Sequence, residues 1–289
     1  MTRRHTNLKK PPASHRSNRA GKKSHPQVHV PAAAKQYEAL GDSPLAVAMP
    51  LALQEPFRID RGLVQRLRRR EVNAKEAFTI RDGSGVYFRA SLKECDDHGG
   101  MALPYERMER SPEPTIDITL ACAVLARQRM HFVVQKATEL GVGRVVPLLT
   151  DHSVPLEGLA QEQAHAWAGH IARAVKQCRR ASLPGLLSPM ALDLFLASTV
   201  FTAADRCLFL DDRSEAAPLD AGAAQRIVLL AGPEGGFSDA ERAKLAGKAW
   251  PWVLGGRILR AETAVVVGLT AVQLKWGDFA HAPQADARS

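Results

Sequence analysis

The sequence lacks features that define several common classes of protein. Its 289 residues contain no run of about 18 or more apolar residues, so a membrane-spanning helix is not expected. Basic residues near the N-terminus are not followed by an apolar stretch, so no secretory signal is expected. Aromatic residues make up 6% of the chain and hydrophobic residues 45%, which predicts an aliphatic core large enough for two domains.

Cysteine is scarce and dispersed along the chain. No pair has CxxC or zinc-ligand spacing among the four cysteines, which are Cys95, Cys122, Cys178 and Cys207. No HExxH motif or paired His/Cys cluster occurs, and His131 and His152 stand alone. We therefore expect a cytoplasmic protein with reduced thiols and no metal.

The common nucleotide-binding fingerprints are also missing. No GxGxxG follows a predicted strand, which argues against a Rossmann dinucleotide site, and no GxxxxGK[ST] motif of a P-loop is present. A ligand of nucleoside type would need a different kind of loop.

Acidic residues are absent from residues 1–37, which hold nine Lys and Arg residues. The other 30 Lys and Arg residues equal the 30 Asp and Glu residues, so the whole net charge of +9 lies in this segment. We predict a basic, disordered tail over 1–50, because such a composition cannot bury a core. The tail either holds RNA phosphates through salt-sensitive contacts or is a solvated extension.

Beyond the tail, two regions differ in pattern. Residues 51–113 are predicted to form a small β-rich domain, and Ser-Pro-Glu-Pro at 111–114 marks a linker. From 114 to 280, strands alternate with helices, which is typical of an α/β fold with a mostly parallel sheet; 281–289 is a C-terminal tail. The predicted strands are 77–80, 86–90, 116–126, 145–149, 206–210, 226–231 and 252–254, and the predicted helices are 130–140, 159–180 and two that begin near 239 and 262.

Two glycine-rich loops, LAGPEGGFSDAE at 230–241 and LGGRILRAETA at 254–264, each connect a strand to a helix. Ser238 fits an N-cap, and Glu241 completes a capping box. Side by side at strand ends, the loops would form a pocket of backbone amides and carbonyls for a small polar ligand such as a nucleoside cofactor. Glycine-rich turns also occur without a ligand, and Arg260 suits either an anionic group or an ion pair with Glu262 or Glu234.

Arginine clusters mark two candidate RNA-binding surfaces. Five arginines lie between 61 and 70, and Arg173, Lys176 and Arg180 fall on one face of the predicted helix 159–180. Solvated helix faces explain both clusters equally simply. The RNA-binding candidates are Arg66, Arg68, Arg69, Arg173 and Arg180.

Four segments, in order, carry a family resemblance. FVVQKATELGVGRVVPLLT at 132–150, KQCRRASLP at 176–184 and the two glycine-rich loops resemble the RsmE family of ribosomal RNA methyltransferases, members of the SPOUT superfamily of α/β-knot enzymes. The resemblance covers roughly 114–278. The β-rich region before it is more weakly similar to the small PUA-like β-barrel of that family.

The resemblance implies a SPOUT trefoil-knot domain after a PUA-like RNA-binding domain, S-adenosylmethionine as cofactor, and a homodimer. It also implies methylation of N3 of a uridine in 16S ribosomal RNA within the small subunit. The catalytic candidates are Arg260, which would orient the target base or its phosphate, and Glu234, which would act as base or pair with Arg260. The implied cofactor-binding residues are Leu210, Gly232, Glu234, Gly235, Gly236, Leu254, Gly255, Ile258 and Leu259.

The chain departs from the family pattern at two places. Leu125 to His131 stands where the family has a lysine-containing turn, and Lys176 stands where an acidic residue is common. Because related knot enzymes methylate ribose or other bases in transfer RNA, a knot-fold methyltransferase acting on another RNA is kept as an alternative, as is an inactive RNA-binding protein. The last predicted helix, apolar nearly all round at 264–274, suits either the core or a subunit interface.

Overall fold

The computed structural model describes residues 31–215 and 222–280, which form a four-stranded and a seven-stranded sheet. Within these ranges no helix is long and apolar enough to cross a membrane. A short helix, α1 (Ala32–Lys35), comes before both sheets.

The smaller sheet is antiparallel, with strand order β1-β4-β3-β2. Its core is aliphatic and aromatic, including Leu63, Ile80 and Phe88. The predicted strands at 77–80 and 86–90 are confirmed. The Oδ1 atom of Asp82 accepts hydrogen bonds from the backbone of Ser84 and Val86, which fixes the turn between them. The elements are β1 (Phe57–Asp60), α2 (Arg61–Arg69), β2 (Ala77–Arg81), β3 (Tyr87–Cys95) and β4 (Gly99–Arg107).

The larger sheet is parallel throughout, in the order β11-β9-β10-β5-β6-β7, and β8 also pairs with β6. Helices cover it, so the inner strands are buried continuous apolar runs, as parallel strands require. The α/β alternation is confirmed. The elements are β5 (Asp117–Ala123), α3 (Arg127–Glu139), β6 (Arg144–Leu149), α4 (Trp167–Cys178), β7 (Gly185–Leu186), β8 (Met190–Ala191), α5 (Leu192–Leu196), α6 (Thr199–Thr202), β9 (Arg206–Leu210), β10 (Arg226–Ala231), α7 (Asp239–Leu245), β11 (Trp250–Trp252) and α8 (Ala261–Trp276).

The helix predicted over 159–180 is wrong at both ends. Gln163 has a left-handed φ of 54° and precedes a 3-10 turn at Ala164–Ala166, so α4 begins only at Trp167. At the other end Arg179, with φ 63°, caps the helix after Cys178. Arg180 therefore does not share a helical face with Arg173 and Lys176.

The last strand lies two residues earlier than predicted. Trp252, rather than Leu254, makes the final pair of β11, opposite Leu210 of β9. The backbone N–H of Asp211 then donates to the carbonyl of Trp252. Beyond this point the chain leaves the sheet, and residues of the segment 254–260 line a cavity instead of pairing with β9.

Residues 39–47 form an extended strap between the two sheets, which corrects the prediction of a disordered tail reaching residue 50. Ala39 exchanges two backbone hydrogen bonds with Leu186 of β7, and Val47 donates to the carbonyl of Arg81 in β2. Tyr37, just before the strap, packs into the larger core against Trp167. Paired backbone and buried side chains hold the strap in place. The rest of the predicted tail, residues 1–30, and residues 281–289 lie outside the described residues.

Candidate active site

The two glycine-rich loops meet at the carboxyl edge of the larger sheet, where β9, β10 and β11 end. They enclose a cavity of about 640 Å³. Its wall contains every residue that the sequence assigned to the cofactor, together with both catalytic candidates. The cavity brings together ends of parallel strands that are neighbours in the sheet, as expected for a ligand site in an α/β fold. Residues that sequence reasoning missed also line it, including Arg129, Asp211, Asp212 and Arg213.

The loop after β10, residues 232–236, is tightly packed on one side and open on the other. A β-carbon on Gly232 would lie 3.2 Å from the backbone nitrogen of Phe237. Gly236 has a φ of +68°, which favours glycine. The Nδ1 atom of His152 lies 3.1 Å from the carbonyl oxygen of Gly236, so this isolated histidine braces the loop from outside. The predicted capping box then starts α7, with Ser238 as N-cap and Glu241 as its partner.

The second loop presents apolar and cationic side chains together. Ile258 lines the cavity and yet is 87% exposed, which is unusual for a large aliphatic side chain. Gly255 has a φ of +132°. Arg260 is exposed and stands at the N-cap position of α8. The loop therefore offers an uncovered apolar surface beside a guanidinium group.

Ion pairs fix the outer wall of the cavity. The buried carboxylate of Asp211 accepts a hydrogen bond of 2.5 Å from Arg242 of α7. Arg213 pairs with Asp239 at 3.3 Å. These contacts tie the chain after β9 to the helix that follows the first glycine-rich loop, so both belong to one wall.

The expected pairing of Glu234 with Arg260 is wrong. Glu234 accepts a hydrogen bond from Arg129, in the first turn of α3, and Glu262 also lies nearer Arg129, with Nε 3.9 Å from Oε1. The hydrogen bond and the charge of Glu234 raise the pKa of the Arg129 guanidinium. Arg129 occupies the position because α3 starts where β5, the sheet neighbour of β10, ends.

The RNA-binding candidates lie outside the cavity. Arg66 of α2 and its neighbour Arg69 both pair with Asp42 of the strap, and Arg68 pairs with Asp97. Arg68, Arg69 and Arg173 keep about half of their side-chain surface exposed.

Arg180 differs from the other candidates because it is buried. Its guanidinium donates to Glu113 and to the carbonyls of Thr138 and Val142. A cation held in this way connects the linker to the larger core and presents no free donor edge to a phosphate.

Fold and cavity together define a class, the RNA methyltransferases: a model of the RNA methyltransferase domain matches residues 111–273. The four motifs of the resemblance fall within this range. Ribosomal RNA small subunit methyltransferase E of Aquifex aeolicus is 30% identical over 209 residues, which cover 71% of this chain and 88% of that relative. This chain belongs to the same family.

Solved structures support the same placement. The crystal structure of ribosomal RNA small subunit methyltransferase E from Neisseria gonorrhoeae, bound to S-adenosyl methionine, has 26% identity and a TM-score of 0.57, and the match covers 82% of this chain and 99% of that one. A methyltransferase structure from Legionella pneumophila, in complex with the same cofactor, has 27% identity and a TM-score of 0.58, and the match covers 82% of this chain and 99% of that one.

Proposed function

We propose that the protein transfers the methyl group of S-adenosylmethionine to N3 of a uridine in small-subunit (16S) ribosomal RNA. The observation that carries this proposal is the cavity, which the two glycine-rich loops of the family resemblance line together at the edge of the sheet. Family membership supports RNA methylation, and the names of the relatives support the small ribosomal subunit as substrate.

The residues of the cavity fit the proposed cofactor. A volume of about 640 Å³ is typical of a small-molecule site, and the glycines leave main-chain groups accessible. We assign adenine to the apolar surface formed by Leu210, Leu254, Ile258 and Leu259. The loop glycines would supply backbone donors and acceptors to the polar parts. The bound cofactor supplies an electrophilic methyl group, and the protein has to place the uracil nitrogen in line with it.

Two charged residues of the wall have roles in this proposal. Arg260 is exposed at the mouth of the cavity, where its guanidinium can hold the target base or its phosphate. Uracil N3 must lose a proton during the transfer, and Glu234, 40% exposed, is the candidate acceptor. Oε1 of Glu234 accepts a hydrogen bond from Arg129, so the other carboxylate oxygen, Oε2, is the one that would accept the proton from the substrate.

The finer architecture is part of the same proposal. The larger unit, 114–280, would contain a trefoil knot in which the chain through 254–260 threads past the segment after β9. The smaller unit, 51–113, would be a PUA-like RNA-binding domain. Val267 and Leu274 of α8 are 38% and 56% exposed, an apolar surface that favours a homodimer. A cytoplasmic location follows from the proposed substrate.

Methyl transfer from labelled S-adenosylmethionine to small ribosomal subunits that lack native uridine-N3 methylation tests the function. Nucleoside analysis should show 3-methyluridine. Transfer only to transfer RNA or large-subunit RNA would support the alternative of a knot enzyme with another substrate. Cofactor binding without any transfer would support the inactive RNA-binding protein.

A further inference from the structure

Arg129 connects parts of the cavity wall that are far apart in the sequence. It lies in the first turn of α3, and its partner Glu234 lies in the loop after β10, 105 residues later. Glu262, whose Oε1 atom is 3.9 Å from Nε of Arg129, lies in the first turn of α8. One guanidinium thus stands between two carboxylates that belong to the two sides of the cavity.

The charges of this cluster make Arg129 difficult to replace. The side chain of Glu262 is only 17% exposed, and within the described part of the chain its buried Oε2 atom has no hydrogen-bond partner. Glu234 and Arg129 are each about 40% exposed. Without the guanidinium, two carboxylates would face each other with no cation between them, and like charges at short range repel.

The loop 232–236 is held from two directions. His152 contacts the carbonyl of Gly236 at its far end, and Arg129 holds the side chain of Glu234 near its start. The three atoms nearest to a β-carbon placed on Gly235, between these two contacts, all belong to His152. Of these two contacts, only the one from Arg129 is an ion pair. The Arg129 side chain also lies near Glu262 in the first turn of α8.

We propose that Arg129 is a positioning residue of the cofactor pocket. Its guanidinium holds the loop 232–236 and the first turn of α8 at the spacing that binds S-adenosylmethionine. The inference rests on the proposed function for the identity of the cofactor, and it does not depend on which RNA is methylated.

Calorimetric titration of the full-length protein with S-adenosylmethionine tests this role. We expect Arg129→Gln to weaken binding about fivefold, the value of one partly exposed ion pair. KM for the cofactor should rise by the same factor, because the contact acts on binding. Arg129→Lys keeps the charge and should recover most of the affinity.

Arg127→Gln is the matched control on the same helical turn. Its guanidinium donates to the backbone carbonyl of Gln161, away from both carboxylates, so its cofactor affinity should equal that of the wild type. Equal affinity of Arg129→Gln and wild type would overturn the proposal. So would a drop in melting temperature that Arg129→Lys does not reverse.

A double-mutant cycle identifies the partner. If Arg129 acts through Glu234, the variant that combines Arg129→Gln with Glu234→Gln should lose no more affinity than Arg129→Gln alone. Fully additive losses would overturn the proposal. Wild-type protein that binds the cofactor and methylates no RNA would instead contradict the proposed function and leave the role of Arg129 standing.

Discussion

Single residues control the shape of the cavity, and Gly236 is the clearest case. Its φ of +68° disfavours any residue with a β-carbon, although the nearest atom to such a carbon would be 3.8 Å away, on Arg213. Gly236→Ala should therefore weaken S-adenosylmethionine binding by shifting the loop backbone, at a cost of about 1 kcal/mol. Calorimetry measures the change in affinity.

Gly247 provides a matched control for that substitution. Its φ is +72°, nothing lies within 4 Å of an added β-carbon, and it does not line the cavity. Gly247→Ala should show the same loss of melting temperature with normal cofactor affinity. Equal affinities for the two variants would show that the loop of Gly236 does not contact the cofactor.

Arg260 is the residue on which the proposed substrate contact depends. Neither Glu234 nor Glu262 pairs with it, since both lie against Arg129, and its side chain is exposed at the cavity. Arg260→Ala should lower kcat at least tenfold and change the affinity for S-adenosylmethionine by less than about twofold. Single-turnover methylation and calorimetry separate the two effects, with Lys248→Ala as an exposed control. A selective loss of cofactor affinity would assign Arg260 to the cofactor instead.

At the scale of elements, the strap depends on Asp42, which accepts hydrogen bonds from Arg66, Arg69 and the buried Arg70. Burial lowers the pKa of Arg70, and Asp42 offsets part of that effect. Asp42→Asn leaves Arg70 without a carboxylate and should cost about 3 kcal/mol of unfolding free energy. Asp97→Asn, which breaks the exposed pair with Arg68, should cost less than about 1 kcal/mol. Urea denaturation compares them, and equal losses would contradict this role of Asp42.

The same carboxylate gives the strap a pH dependence. Burial raises the pKa of Asp42, but the hydrogen bonds and charges of Arg66 and Arg70 outweigh it, so the pKa is lower than the ordinary 3.8. The stability from Asp42 is therefore complete above the unfolded pKa and is lost as the pH falls through the folded one. As the pH falls below about 4, the wild type should lose stability more steeply than Asp42→Asn. Parallel curves would show that Asp42 does not contribute.

Elements with local signals were predictable from the sequence, and elements fixed by distant contacts were not. The limits of β9 and β10 follow from short apolar runs, and α7 from its capping box. The start of α4 depends on the left-handed backbone of Gln163, and glutamine is not a residue type that predicts a left-handed conformation. In the site, the glycine-rich loops were evident, whereas the partner of Glu234 depends on β5 and β10 being neighbours. A prediction that β5 and β10 are neighbours would have placed Arg129, just after β5, beside Glu234, just after β10.

For the whole molecule, the path of the strap sets the direction of the chain just before it. The strap runs antiparallel to β7, so the chain before Ala39 points toward the carboxyl edge of the larger sheet, the edge that holds the cavity. Residues 1–30 contain eight Lys and Arg residues and no acid. Phosphates attract this positive charge, so we expect the segment to contribute to RNA binding.

Deleting residues 1–30 tests the contribution of this segment to RNA binding. The deletion keeps Tyr37, which is buried against Trp167. The deletion should weaken RNA binding mainly at low salt and make the plot of log K against log salt less steep. Filter binding across a salt series measures the slope. A full-length variant with the eight cations changed to serine should behave like the deletion. An unchanged slope in both the deletion and the serine variant would show that the segment does not contribute to RNA binding.

The strap also imposes an order on biosynthesis. Glu38 bonds to Ser188, 150 residues later, and Ala39 pairs with Leu186. At translation rates of about 5–20 residues per second, these partners leave the ribosome on the order of ten seconds after the strap itself. The smaller sheet can form during that interval, and α4 reaches it before β7 is made, since Thr79 donates to the carbonyl of Arg179 and Lys176 pairs with Glu76. A nascent chain stalled before α4 would thus carry its first sheet without these contacts.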